Sequence, residues 1–315
     1  MAQPILDSES ILKSLHSKQN PFWSQYYAFY SSWYGGIVKD PGPFLLLPVD
    51  DHIVHRGDGV FEALKSVDRK IYLLEPHLHR LRDSAERIGL SLPMTLQEIE
   101  QTIIQTLKVA DRTETLVRIF LSRGPGGFTT NPYDSVASQL YVIITKFNPL
   151  SVEKYRDGIK IGKSLIPVKE GWFPQIKSCN YLPNVLMKKE AVDRGLDFTI
   201  SFDASGFLAE SSTENIVIVD QNDILTHPPL DKILKGTTMT RCFELAKKAG
   251  IKTAIRPISE NDLRNAKEVM MMGTTLNVLP VTSYEAQPIA DGRVGDQSKI
   301  LLKLIEDDTQ RGTAY

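Results

Sequence analysis

Strand and helix signals alternate unevenly along this chain, and that unevenness constrains its fold more than any other feature. Two strand-like runs, "LVRIFL" and "QLYVIITKF", follow one another with only a glycine-rich loop between them, "SRGPGGFTTNPYDS". Long runs of strict strand–helix–strand order are missing. The mixture indicates an α/β or mixed α+β chain in two domains, for which 315 residues are sufficient. The pattern lapses into polar and turn residues over 148–158, "NPLSVEKYRDG". This places an N-terminal α/β domain with an extra leading segment at 1–150 and a second domain at 151–315.

Local signals fill in each half. The first residues read as a short amphipathic helix capped near Asp7 or Ser8, with Ile11, Leu12 and Leu15 on one face. Residues 71–74 look extended. Behind Pro76, a first-turn residue, Leu78, Leu81, Ala85 and Ile88 recur at helical spacing. Thr95 and Glu98 form a capping-box pattern ahead of Ile99, Ile103, Leu107 and Ala110. In the second half a strand is expected in "IKIGKSLIPV", a helix at 182–194 and strands at 198–203 and 215–220. A helix after Gly236 carries Met239, Cys242, Phe243, Ala246 and Ala249 and closes at Gly250. Strand-like "EVMMMG" follows, and a last helix has Ile300, Leu301, Leu304 and Ile305 on one face.

Bulk properties exclude several classes of function. With 37 Lys plus Arg against 38 Asp plus Glu, no basic excess argues for nucleic acid or an anionic membrane as partner. No apolar run approaches the roughly 20 residues of a membrane span. The N-terminus lacks a signal peptide's basic stretch followed by an apolar one. The two cysteines, Cys179 and Cys242, make neither a disulfide framework nor a metal-ligand spacing. A reduced, cytoplasmic setting is expected, with no metal.

Several stretches invite chemistry, and two of them fail on spacing. "DGIKIGKS" has only three residues between Gly158 and Gly162, one short of a phosphate loop, and its alternation suggests a strand. "HRGDGVFEALKS" lacks the third glycine of a dinucleotide site. His77 and His79, two apart at a helix start, face different sides and read as structural or surface residues. Thr237 and Thr238 open the helix after Gly236, either as a simple cap or as an anion site on the free N–H groups. Arg118 interrupts an apolar strand on the face of Leu116 and Phe120, so it needs a carboxylate, from the protein or from a ligand. Lys177 stands at a junction crowded by Trp172, Phe173, Ile176 and Tyr181, where a surface lysine is out of place.

Taken in order, the stretches "GDGVFEALK", "PHLHRLRDSAERI", "IKSCNYLPNVL", "ESSTENI" and "LKGTTMTR", with "GTTLNVLPV" after them, carry a resemblance. Over residues 50–281 the chain resembles the class IV aminotransferases, the fold-type IV pyridoxal-phosphate enzymes. The resemblance implies a smaller N-terminal α/β domain, a C-terminal pseudo-barrel, a homodimer with its active sites at the subunit interface, and pyridoxal 5'-phosphate as cofactor.

It also implies roles for individual residues. Lys177 stands where the family's Schiff-base lysine stands, and crowding that lowers an amine's pKa suits it to attack and then shuttle a proton. Glu210 matches the partner of the pyridine nitrogen, and Tyr181 the partner of the phenolic oxygen. Arg80, Thr237, Thr238 and Thr274 match the phosphate cradle. Phe61, in the Gly-Asp-Gly-Val-Phe segment, forms part of the pocket. The implied reaction is transamination between amino acids and 2-oxo acids.

The subfamily signals diverge. "IKSCNYLPNVLMKKEA" and "GDGVFEALK" are most similar to the D-amino-acid enzymes, yet the loop that supplies their carboxylate-binding Arg and His holds only Arg123 here. "SRGPGG" resembles the aminodeoxychorismate lyases of folate synthesis, but Glu62 and Ala63 stand where those enzymes carry a threonine. Arg118 aligns with an arginine of the branched-chain enzymes. It is the expected partner of the substrate carboxylate, assisted by backbone N–H groups at Thr274 and Thr275. A D-amino-acid or branched-chain aminotransferase is the leading reading; a lyase or an (R)-selective amine transaminase is the alternative.

Overall fold

The computed structural model describes residues 2–315. Strands β1 (Tyr26–Ser31), β2 (Gly36–Lys39), β3 (Gly59–Val67), β4 (Lys70–Ile71), β5 (Thr115–Ser122) and β6 (Gln139–Lys146) belong to a first, antiparallel sheet. The second sheet is mixed and takes β7 (Ile159–Lys163), β8 (Phe198–Phe202), β9 (Leu208–Ser211), β10 (Asn215–Val219), β11 (Leu225–His227), β12 (Thr253–Ile255), β13 (Glu268–Gly273), β14 (Asn277–Tyr284) and β15 (Gln287–Pro288). The last strand, β16 (Thr313–Ala314), pairs with β4, so the end of the chain returns to the first sheet.

Helices α1 (Ser8–Ser17), α2 (His52–His55), α3 (Leu74–Arg87) and α4 (Leu96–Ala110) precede the second sheet. The Thr95–Glu98 capping box forms, and Ile99, Ile103 and Leu107 are fully buried behind it. They pack with Leu78 and Leu81 of α3 against Val60, Leu64, Val117 and Ile119 of the sheet. Each such side chain contributes about 1.5–3 kcal/mol on leaving water. The extended stretch expected at 71–74 is shorter, because Leu73 takes a left-handed φ of 55° and Leu74 is already helical. Helix α1 forms with Asp7 accepting from the Ser10 N–H at 2.8 Å, but Ile11 and Leu12 remain exposed.

Helices α5 (Val152–Asp157), α6 (Leu182–Asp193), α7 (Thr237–Lys248), α8 (Glu260–Arg264) and α9 (Asp296–Thr309) serve the second sheet. On α9, Leu301 and Ile305 are buried while Ile300 is exposed, since position 300 lies off their stripe. Ala249 is likewise outside the buried stripe of α7, at its C-cap.

Two features of this topology build the site. Strand β9 pairs with β8 and also with β10, where Glu210 lies opposite Asn215, and this curls the second sheet into a barrel-like closure. Next to it, the chain at 177–179 takes the free side of β3. The Phe61 N–H donates to Lys177 O at 2.9 Å, and the Cys179 N–H donates to Gly59 O at 2.8 Å. Lys177 is thereby seated between the sheets.

Candidate active site

Strand alternation sorts the residues of β3. Phe61 and Ala63 face an open cavity of about 410 Å³, while Val60, Glu62 and Leu64 are buried. Across the register, Phe61 pairs with Phe120 and Ala63 with Arg118. The two phenylalanine rings stack at 5.9 Å, and the small Ala63 leaves room beside the guanidinium. Arg118 is exposed on this wall and makes no ion pair among the described residues, so the protein-carboxylate alternative has no partner here. Arg123 is fully engaged elsewhere: it clasps Asp58 at 2.6 and 3.0 Å and donates to the carbonyls of Ile88 and Gly89.

The Lys177 Nζ lies 4.5 Å from the centre of the Phe61 ring and 6.0 Å from that of Tyr181. One side of the residue opens to the cavity, so its surface is half-buried, yet protein encloses the amine on its other sides. Burial, helped by the Arg80 charge, brings its pKa down to about 8 against the opposing carboxylates of Glu62, Glu210 and Glu214. Tyr181 caps α6 without a side-chain hydrogen bond, and burial holds its phenol above the usual range, in the protonated form.

At one end of the cavity stand Arg80, Thr237, Thr238, Thr274 and Thr275. The N-cap of α7 is Gly236, with no side-chain cap, so no side chain satisfies the helix's first N–H groups. The simple-cap alternative therefore fails. A Cβ at position 236 would overlap the Asn215 side-chain oxygen, so a larger residue here would have to displace that side chain. Arg80 donates to both oxygens of Glu62, from Nε at 2.6 Å and from Nη2 at 2.8 Å.

Glu210 is set apart from the others. It lines a smaller cavity of about 60 Å³ on the far side, which shares Lys177, Tyr181 and Leu234 with the larger one. The Leu234 N–H donates to its carboxylate. Burial raises its pKa to about 7, against that N–H and the charges of Lys177, Lys169 and Arg80. All the other expected site residues line the larger cavity. A still larger groove, about 760 Å³, runs past α3, α7 and the chain's end but contains neither Lys177, Tyr181 nor Glu210, so size alone does not mark the site.

Two residues of the site escaped the sequence reading. Glu62 and His77 are 0% and 1% exposed, and His77, expected as structural or at the surface, bridges Glu62 to Thr237. The usable signal was the carboxylate at a core-facing position of β3, which requires a cation, and the spacing of His77 and Arg80 on one helical face.

The arrangement puts the amine between an end that gathers a guanidinium, threonine hydroxyls and an uncapped helix start and an end that carries a carboxylate, a donor set that fits a phosphate-bearing pyridine aldehyde. Fold and site together define an enzyme built for amine chemistry. Residues 59–284 match the Amino-transferase class IV family, and the chain belongs to it. It is 34% identical to the D-amino-acid transaminase, chloroplastic, of Arabidopsis thaliana, over 98% of this chain and 83% of that one. It is 32% identical to a putative branched-chain-amino-acid aminotransferase of Methanocaldococcus jannaschii, over 82% of this chain and 90% of that one. The fold matches a T.th. branched-chain amino acid aminotransferase with pyridoxamine 5'-phosphate at a TM-score of 0.83, with 24% identity over 90% of this chain and 94% of that one. The protein is an aminotransferase. No helix in the described residues is long and apolar enough to cross a membrane.

Proposed function

We propose that the protein moves amino groups between amino acids and 2-oxo acids with pyridoxal 5'-phosphate, and that Lys177 is its catalytic base. The observation that carries this reading is a lysine amine held near pKa 8 between an uncapped helix start beside Arg80 and the Glu210 carboxylate. When bound, the cofactor supplies an electron sink and carries the amino group from donor to acceptor.

The chain's own residues supply the rest. Arg80, Thr237, Thr238 and Thr274 hold the phosphate end by charge and hydrogen bonds. Tyr181 would donate its phenolic O–H to the cofactor's oxygen, and Glu210 would accept from the protonated ring nitrogen. The Lys177 Nζ holds and passes the substrate α-proton, a task suited to a base whose pKa lies near the working pH. Phe61 and Phe120 close one wall against water. Arg118 is free to take a substrate carboxylate, with Thr274 and Thr275 beside it, and that favours amino acids over simple amines.

The reading includes a homodimer. Beside the site, Trp172, Phe173, Leu182 and Val185 are exposed, and the Arg118 side of the cavity stays open. A second copy would cover both; a fully active monomer in sedimentation at assay concentration contradicts this. Domains at 1–150 and 151–315 and a reducing, cytoplasmic setting complete the proposal, the latter supported by two unpaired cysteines. Turnover on a panel of D- and L-amino acids, amines and aminodeoxychorismate tests it, and amino-acid-dependent formation of a 2-oxo acid is the expected result.

A further inference from the structure

Two buried residues take no part in the proposed chemistry, yet the hydrogen bonds they make with other side chains run to Arg80, to Thr237 and to each other, at its phosphate end. Glu62 on β3 receives two N–H groups of Arg80 and the Nδ1–H of His77, the latter at 2.6 Å. The Arg80 guanidinium and the His77 N–H hold its carboxyl well below the usual carboxylate range despite complete burial. His77 turns its other nitrogen, Nε2, to the Thr237 hydroxyl at 3.1 Å. With Nδ1–H committed to Glu62, the neutral ring accepts the Thr237 hydroxyl proton at Nε2. Burial favours that neutral ring, with Glu62 opposing and Arg80 and Lys177 assisting.

The consequence is geometric. Arg80 and His77 ride on α3, and Thr237 is the first residue of α7, which serves the other sheet. The Glu62–His77–Thr237 chain therefore fixes the start of α7 against the guanidinium, and the Arg80 Nη1–H to Lys235 O bond at 3.0 Å runs alongside it. Of the five N–H groups of Arg80, these bonds engage three, and the bidentate clasp sets the plane in which the others point.

We propose that Glu62 and His77 are positioning residues for phosphate: they preset Arg80 and the α7 start so that a phosphate ester meets both at once. The proposal rests on the assignment of that end of the cavity to phosphate. The test uses the cofactor-free protein, titrated spectroscopically with pyridoxal 5'-phosphate and with pyridoxal, which lacks the phosphate. The 31P shift of the bound ester is recorded as well.

His77→Leu should weaken the phosphate ester about tenfold or more, leave pyridoxal within about twofold, and move the 31P shift. His77→Gln, which keeps a polar end for Thr237, should recover part of the loss. Glu62→Gln removes the charge that holds Arg80 and His77 without changing the cavity lining, and carries the same expectation should His77→Leu fail to fold. Arg80→Gln separates the two assignments. If it abolishes the preference for the ester while His77→Leu and Glu62→Gln keep it, the phosphate end stands and the positioning role is wrong. If Arg80→Gln keeps the preference, both are wrong. Equal losses for ester and pyridoxal in the His77 variants would also overturn the proposal.

Discussion

The backbone carbonyl of Lys177 accepts the N–H of Phe61 at 2.9 Å, and the Phe61 ring lies 4.5 Å from the same lysine's amine. One residue of the first sheet thus sets both the backbone and the side chain of the proposed base. The surroundings that fix the amine also strip it of water, and its lowered pKa follows from that enclosure.

The amine's titration is the first prediction. An ordinary lysine has a reference value of 10.5, and burial here lowers it to about 8. The free base, and with it the reactivity of Lys177, should rise through pH 8. Competitive acetylation of the cofactor-free protein, read by mass spectrometry across pH, should give a midpoint near 8 for this residue. A midpoint near 10.5 would mean that the enclosure is open in solution.

Glu210 carries the second. Its neutral form is favoured by burial, with a pKa of about 7 in the absence of ligand, and a protonated ring nitrogen beside it would stabilise the carboxylate. Glu210→Gln should keep the cofactor but cut turnover by about two orders of magnitude or more, about 3 kcal/mol of barrier at 1.36 per tenfold. An unchanged rate would reduce Glu210 to a residue of the barrel closure.

Substrate recognition is tested at Arg118. The side chain is exposed on the cavity wall and unpaired among the described residues, so removing it leaves no buried charge behind. A charge-assisted hydrogen bond to a carboxylate is worth about 1.5–3 kcal/mol. Arg118→Leu should accordingly lower kcat/KM for amino acids by about ten- to a hundredfold. Half-reactions with amines that lack a carboxylate should change little. Equal losses for both substrate classes would place the carboxylate elsewhere.

What the sequence disclosed follows the reach of each interaction. The Thr95–Glu98 box spans one helical turn and was legible as written. Lys177 was flagged by the apolar residues around it in the chain, yet Trp172 and Phe173 are exposed, and the ring nearest its amine besides Tyr181 is Phe61 of β3, remote in sequence. The left-handed Leu73 was not legible, since leucine gives no local sign of a positive φ. Strand alternation correctly put Arg118 on the face of Leu116 and Phe120, but whether that face met core or cavity depended on a fold partner far along the chain. The same distance hid the Glu62–His77–Thr237 chain, whose members lie 15 and 160 residues apart. The return of Thr313–Ala314 to the first sheet is equally remote from its partner strand.

All of the proposed chemistry passes through one amine. Protein saturated with pyridoxal 5'-phosphate should be yellow; borohydride reduction, digestion and peptide mapping should then place the pyridoxyl group on Lys177. Its appearance instead on Lys169, Lys188 or Lys189, or its absence from every peptide, would contradict the assignment of Lys177 and the mechanism built on it.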